Sequence, residues 1–146
     1  MKLSTRSRYG LIAVVELASQ YGGKPVSLSA LATSQGISED YLEQLLRVLK
    51  KAGIVSTERG ISGGYLLNCD PSSLSAGRVL CVLEGGVDLV DCVGVNINNG
   101  CEKACYCSAR PLFLKLQNKI NTVLNETMIS DLVNDYLEQK RRLQSI

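Results

Sequence analysis

Apolar residues recur at three- and four-residue steps along most of this chain and at alternate positions in one short stretch. Over residues 5–20 they fall at Leu11, Ile12, Val14, Val15, Leu17 and Ala18, dense enough for a largely buried helix. Gly22-Gly23 and Pro25 stop it. Val26-Ser27-Leu28-Ser29-Ala30-Leu31-Ala32 predicts a short helix opened by a serine cap, and Gln35-Gly36-Ile37 a tight turn with Gly36 free to take a positive φ. Ser38 then caps another helix, with Glu39 and Asp40 in its first turn, where the helix dipole favours acids. Leu42, Leu45, Leu46 and Leu49 point inward from it, and it ends near Gly53.

Two short helices joined by a glycine turn make a helix-turn-helix, here about 28–51. Gln35 is polar where that motif more often places an apolar residue. The period then changes. Ile54-Val55-Ser56-Thr57 alternates as a strand does, Glu58 to Gly64 turns, and Tyr65-Leu66-Leu67 returns. A hairpin over about 54–67, directly after the second helix of such a motif, is a wing. Its tip carries Arg59 among glycines.

Beyond the wing, Asp70-Pro71-Ser72-Ser73 leads into a helix over about 75–84, closed by Gly85-Gly86; Cys81, between Leu80 and Val82, reads as core. Pro111 sits early in a long helix with Leu112, Phe113, Leu116, Ile120, Val123 and Leu124 at helical spacing. Asn125-Glu126-Thr127 interrupts, and a last helix over about 128–142 shows Ile129, Leu132, Val133, Tyr136 and Leu137 before the basic Lys140-Arg141-Arg142. The long helix lies far along the chain from the winged unit, so its expected neighbour is the same helix of a second copy. The expected fold is mainly α with a small β-wing. A winged helix-turn-helix DNA-binding domain fills 1–84, a cysteine-rich loop 85–108, and dimerisation helices 109–146.

Composition changes this picture at two points. Residues 1–60 hold eight Lys/Arg against five Asp/Glu, and 61–146 eight against nine, which biases any phosphate-facing surface to the first half. The chain has no histidine, so the commonest metal ligand and the usual general base are both missing. With no nucleophile constellation either, an enzyme is not expected. The longest apolar run near the start, Leu11 to Val15, is too short for a signal sequence, and no run approaches the ~20 residues of a membrane span. A cytoplasmic protein is expected.

The chemistry gathers between Cys92 and Cys107, where Cys92, Cys101, Cys105 and Cys107 fall within 16 residues. The asparagines and glycines between Cys92 and Cys101 break any regular pattern, so this is a loop. Thiolates that a loop can fold around one centre suit zinc or the irons of an iron–sulfur cluster. Disulfides and plain unligated thiols compete with that reading; a reducing cytosol disfavours the first.

Together these residues resemble the winged-helix regulator family that includes the iron–sulfur regulator IscR, the nitric-oxide-sensing repressor NsrR and the cysteine-metabolism repressor CymR. The resemblance rests on Leu3-Ser4-Thr5-Arg6-Ser7-Arg8-Tyr9, on Gly36-Ile37-Ser38 running into Tyr41-Leu42-Glu43-Gln44-Leu45, and on Arg59-Gly60 with Gly63-Gly64-Tyr65-Leu66-Leu67. The cysteine loop ahead of a long helix belongs to it too. The loop is the mark of IscR-like and NsrR-like members, and the resemblance implies Cys92, Cys101 and Cys107 as ligands of a cluster, 2Fe–2S favoured and 4Fe–4S kept open. IscR places a histidine three residues after its last cysteine, where this chain has Arg110. Cys105 is the nearest substitute, with Asp91 and Glu102 behind it. Ile61-Ser62 stands where the wing tip usually has Pro-Gly.

A recognition helix in the major groove would present Ser38, Tyr41, Glu43, Gln44 and Arg47. Glu43 can accept from cytosine, Gln44 can pair with adenine, and Arg47 can reach guanine or phosphate. Arg59 suits a narrow minor groove. Glu43 and Arg47 also stand at the spacing of a helical ion pair. The expected protein is a homodimeric, cluster-sensing transcription regulator of iron–sulfur biogenesis genes, bound to a palindromic double-stranded operator. The rival readings are an NsrR-like or CymR-like repressor, a zinc-stiffened regulator, and a cysteine-ligated electron carrier.

Overall fold

A computed structural model describes residues 2–94 and 101–146. The first helix, α1 (Thr5–Ser19), is the central beam. Ser4 caps it, its Oγ accepting from the Ser7 amide. Ala13, Val14, Leu17 and Ala18 are buried along it. Gly10 stands where a Cβ would press into Leu83, so the missing side chain sets how closely the helix that carries Leu83 packs on α1.

Helices α2 (Leu28–Gln35) and α3 (Glu39–Lys51) form the helix-turn-helix. Serines cap both: Ser27 accepts from the Ala30 amide and Ser38 from the Tyr41 amide. Gly36 takes the left-handed conformation at φ 64°, and the Ile37 amide closes on the Ala32 carbonyl at 3.1 Å. The four leucines of α3 lie inward with 0–2 % exposure. The side-chain amide of Gln35 is carried into this turn with neither its nitrogen nor its oxygen partnered.

Strands β1 (Val55–Glu58) and β2 (Gly64–Leu67) pair antiparallel, Val55 opposite Leu67 and Glu58 opposite Gly64. Val26, just before α2, adds a bridge to Tyr65 through two bonds of 2.8 and 2.9 Å. A Cβ at Gly64 would collide with the Val26 carbonyl oxygen, so glycine is what lets the wing dock there.

Helix α4 (Ala76–Glu84) begins at the Ser75 cap and ends at Gly85, φ 81°. Ala76, Val79, Leu80 and Leu83 face the core. Cys81, expected in the core from its apolar flanks, is instead exposed. The 3.6-residue period puts 76, 79, 80 and 83 on one face and turns 81 away from it.

Helices α5 (Arg110–Glu126) and α6 (Ile129–Gln144) close the chain. The junction between them is pinned to the start of α4: the Ala76 amide donates to the Thr127 carbonyl and the Ile129 amide to the Leu74 carbonyl, each at 2.8 Å. From there α6 returns along α1 and lowers Ile129 and Val133 into the same core that holds the α3 leucines. The last two helices therefore take different neighbours. Helix α6 completes the core of the winged unit, and α5 lies on α4 and on the short turn Asp91–Val93.

Candidate DNA-reading surface and cysteine loop

The outer face of α3 is polar. Ser38, Gln44 and Arg47 are exposed, while Tyr41 and Glu43 are half-buried. Tyr41 is steadied edge-on by Tyr9 of α1, ring centres 6.2 Å apart. Beside it Arg6, Tyr41, Gln44 and Arg47 line a shallow recess of about 280 Å³. Arg6 was not among the residues expected to read DNA. Its basic character in the Arg6–Arg8 opening was the available signal, but only packing shows that α1 delivers it to the recognition helix.

Glu43 and Arg47 form the expected i,i+4 pair at 3.6 Å, with side chains 47 % and 73 % exposed. A pair this open is worth only ~0.3–0.5 kcal/mol and leaves Arg47 available to an outside partner. Glu43 also faces the wing: burial, and then the Glu43 carboxylate, push the Tyr65 hydroxyl above its ordinary pKa. Lys50 Nζ donates to Thr57 Oγ1 at 2.8 Å, tying the end of α3 to β1. Arg59 stands exposed at the wing tip, followed by Gly60 at φ 118° and a fully exposed Ile61. Helix α3 and the wing thus form one continuous, polar, partly basic surface.

The cysteine loop lies in the chain between α4 and α5. Cys92 sits half-buried in the turn Asp91–Val93, Cys101 and Cys105 are exposed, and Cys107 is half-buried three residues before α5. The part of the loop at 95–100 lies outside the described residues. All six cysteines are unpaired in the structure. Among the described residues no three Cys, Asp or Glu side chains are drawn together as a metal site. The donor chemistry nonetheless fits an iron–sulfur cluster, since Cys92, Cys101, Cys105 and Cys107 are soft ligands. Three residues past Cys107, the buried Nε of Arg110 has no hydrogen-bond partner among the described residues. A guanidinium only donates, so an anionic, sulfur-rich occupant nearby would supply what it lacks.

The approach to Cys92 is held from α5. Gln117, the single buried residue of that helix, accepts from the Leu89 amide at 2.6 Å and donates to the Val87 carbonyl at 2.8 Å and to Asn121 Oδ1 at 3.0 Å. Of the α5 residues expected to face a partner, Leu112, Leu116 and Val123 are 57, 42 and 62 % exposed, while Phe113, Ile120 and Leu124 are half-buried against their own chain.

A helix-turn-helix with a docked hairpin is the architecture of a winged DNA-binding protein. The sequence pattern of the Rrf2 family, described as an iron-dependent transcriptional regulator, matches residues 3–135, and the chain belongs to that family. It is 37 % identical to the HTH-type transcriptional regulator CymR of Bacillus subtilis over 134 residues, 92 % of this chain and 91 % of the relative. The solved structure of that protein, the global cysteine regulator of B. subtilis, superposes with a TM-score of 0.78 at 36 % identity, covering 92 % of this chain and 97 % of the other. The HTH-type regulator IscR of Escherichia coli is 36 % identical over 135 residues, 92 % of this chain and 82 % of that one. The IscR structure from T. potens gives a TM-score of 0.75 at 34 % identity, with 93 and 88 % covered. The chain is a DNA-binding transcription regulator and not an enzyme. Among the described residues no helix is long and apolar enough to cross a membrane.

Proposed function

We propose that this regulator senses an iron–sulfur cluster held by its cysteine loop and controls genes of cluster biogenesis. One observation carries the reading. A regulator of an iron-dependent family keeps Cys92, Cys101 and Cys107 as free thiols on the segment that joins its reading head to α5. Those three are the ligands proposed, with Cys105 as the nearest fourth; Arg110 cannot serve as one. When bound, the cluster supplies a link between thiolates that oxidants, nitric oxide or iron scarcity break.

This chain's own residues do the rest. Ser38, Tyr41, Glu43, Gln44 and Arg47 enter the major groove and Arg59 follows the minor groove. The exposed Leu112, Leu116 and Val123 of α5 pair with the same face of a second copy. The resulting two-fold homodimer grips a palindrome whose half-sites are set by the helical repeat. Ligation at Cys92 and Cys107 fixes the two ends of the loop, and with them the setting of α5 between the two heads. Titration of operator DNA with cluster-loaded and cluster-free protein tests this. A different affinity for at least one operator class is expected, and equal affinity for every site would sink it.

A second reading has its own support. Likeness over nearly the whole chain to a global cysteine regulator favours a CymR-like repressor whose loop thiols report on thiol supply rather than on iron. Protein that carries no iron when isolated without oxygen, yet still binds operator DNA, would favour it.

A further inference from the structure

Helix α5 leaves an apolar stripe uncovered, Leu112, Leu116 and Val123, while the side toward its own chain sets one fully buried amide, Gln117, among the half-buried Phe113, Leu114, Ile120 and Leu124. That amide has definite work. Gln117 is 4 % exposed and spends its acceptor on the Leu89 amide and its two donor hydrogens on the Val87 carbonyl and Asn121 Oδ1. Asn125 abuts Gly77 of α4, where a Cβ would lie only 2.7 Å from Asn125 Oδ1. Within one chain, then, the half-buried apolar contacts of α5 are joined by polar ones with directional geometry.

The segment that Gln117 grips is the one that matters. Residues 87–89 run from the end of α4 into the turn bearing Cys92, so Leu89 stands three residues before that thiol. A buried glutamine bonded to two backbone groups of the passing segment couples the two pieces: moving one past the other breaks both bonds. We propose that Gln117 is the positioning residue through which a change at Cys92 is transmitted to α5, and so to the spacing of the two reading heads. This rests on the cysteine loop being the sensor, as proposed above. It adds the route by which the loop's state reaches α5.

The test uses the full chain and the variants Gln117→Met, which keeps bulk and loses every bond, and Asn121→Ala, which removes one bond at an exposed position. Backbone amide exchange across 112–123 is followed before and after modification of the loop thiols with N-ethylmaleimide, and again before and after cluster removal. In wild type both treatments should speed exchange across 112–123, by about tenfold. In Gln117→Met exchange there should already be fast and should not respond, while α4 stays protected and visible absorbance per chain is unchanged. Asn121→Ala should fall between. A response in Gln117→Met equal to wild type overturns the proposal, as does a wild-type α5 that answers neither treatment. If Gln117→Met does not fold, a wild-type response in Asn121→Ala overturns it instead. A response to N-ethylmaleimide from protein that never carries iron would retire the cluster reading and leave the Gln117 route standing.

Discussion

Helices α3 and α5 are both amphipathic, and they use that character in opposite ways. Helix α3 buries Leu42, Leu45, Leu46 and Leu49 and shows water its serine cap, tyrosine, glutamine and arginine. Helix α5 shows water Leu112, Leu116 and Val123 and buries a glutamine. A helix whose apolar face is satisfied inside its own chain is free to offer a polar face to DNA. One that leaves Leu112 and Leu116 uncovered has apolar surface to offer the second copy proposed above. On the proposed function the roles divide along the same line, α3 for reading and α5 for joining, with the cysteine loop at the N-terminal end of α5.

The contrast can be broken from either side. Leu46→Ala in α3 removes a side chain with no exposure and should cost ~2–5 kcal/mol of stability in denaturant titration. The matching change in α5, Leu116→Asp, should leave the thermal unfolding of the single chain nearly untouched. It should instead convert dimer to monomer in sedimentation and weaken operator binding by ~100-fold or more, because two linked heads bind far better than one. Arg47→Ala should leave both fold and assembly intact and lose ~1–3 kcal/mol of operator affinity, concentrated at one base position if Arg47 reads a guanine.

The smallest effect lies in a contact that serves neither helix directly. Glu84, at the end of α4, accepts from the Ser4 amide at the start of α1, and bonding from Ser4 holds its carboxyl below the usual glutamate range. A carboxylate depressed on folding adds stability above its unfolded pKa and loses it as pH falls through the folded value. Wild type should therefore show a slightly steeper loss of Tm on acidification than Glu84→Gln. The contact is almost fully open to water, so the difference should be small.

Much of the reading head was legible because its signals are local. Ser27, Gly36 and Ser38 punctuate α2 and α3 by capping and by a left-handed turn, and the change from helical to alternate spacing at Ile54 announces the wing. What the sequence hid depends on packing at a distance. Cys81 looked buried because its neighbours are apolar, and only the phase of α4 turns it out. Arg6 belongs to α1 in the chain but to the recess of α3 in space. Nothing in the periodicity of 128–142 says that α6 returns to α1, and Gln117 reads along the chain as one more polar residue on a long helix. The loop cysteines stand out as a candidate donor set by spacing and residue type; how they approach one another is a property of the folded loop.

The account stands most directly on iron and acid-labile sulfide per chain, measured with visible absorption on protein isolated without oxygen, beside Cys92→Ala, Cys101→Ala, Cys105→Ala and Cys107→Ala. Wild type should carry a coloured centre that is lost in the Cys92, Cys101 and Cys107 variants. A colourless wild type that refuses reconstitution, or a centre that survives all four substitutions, would contradict it.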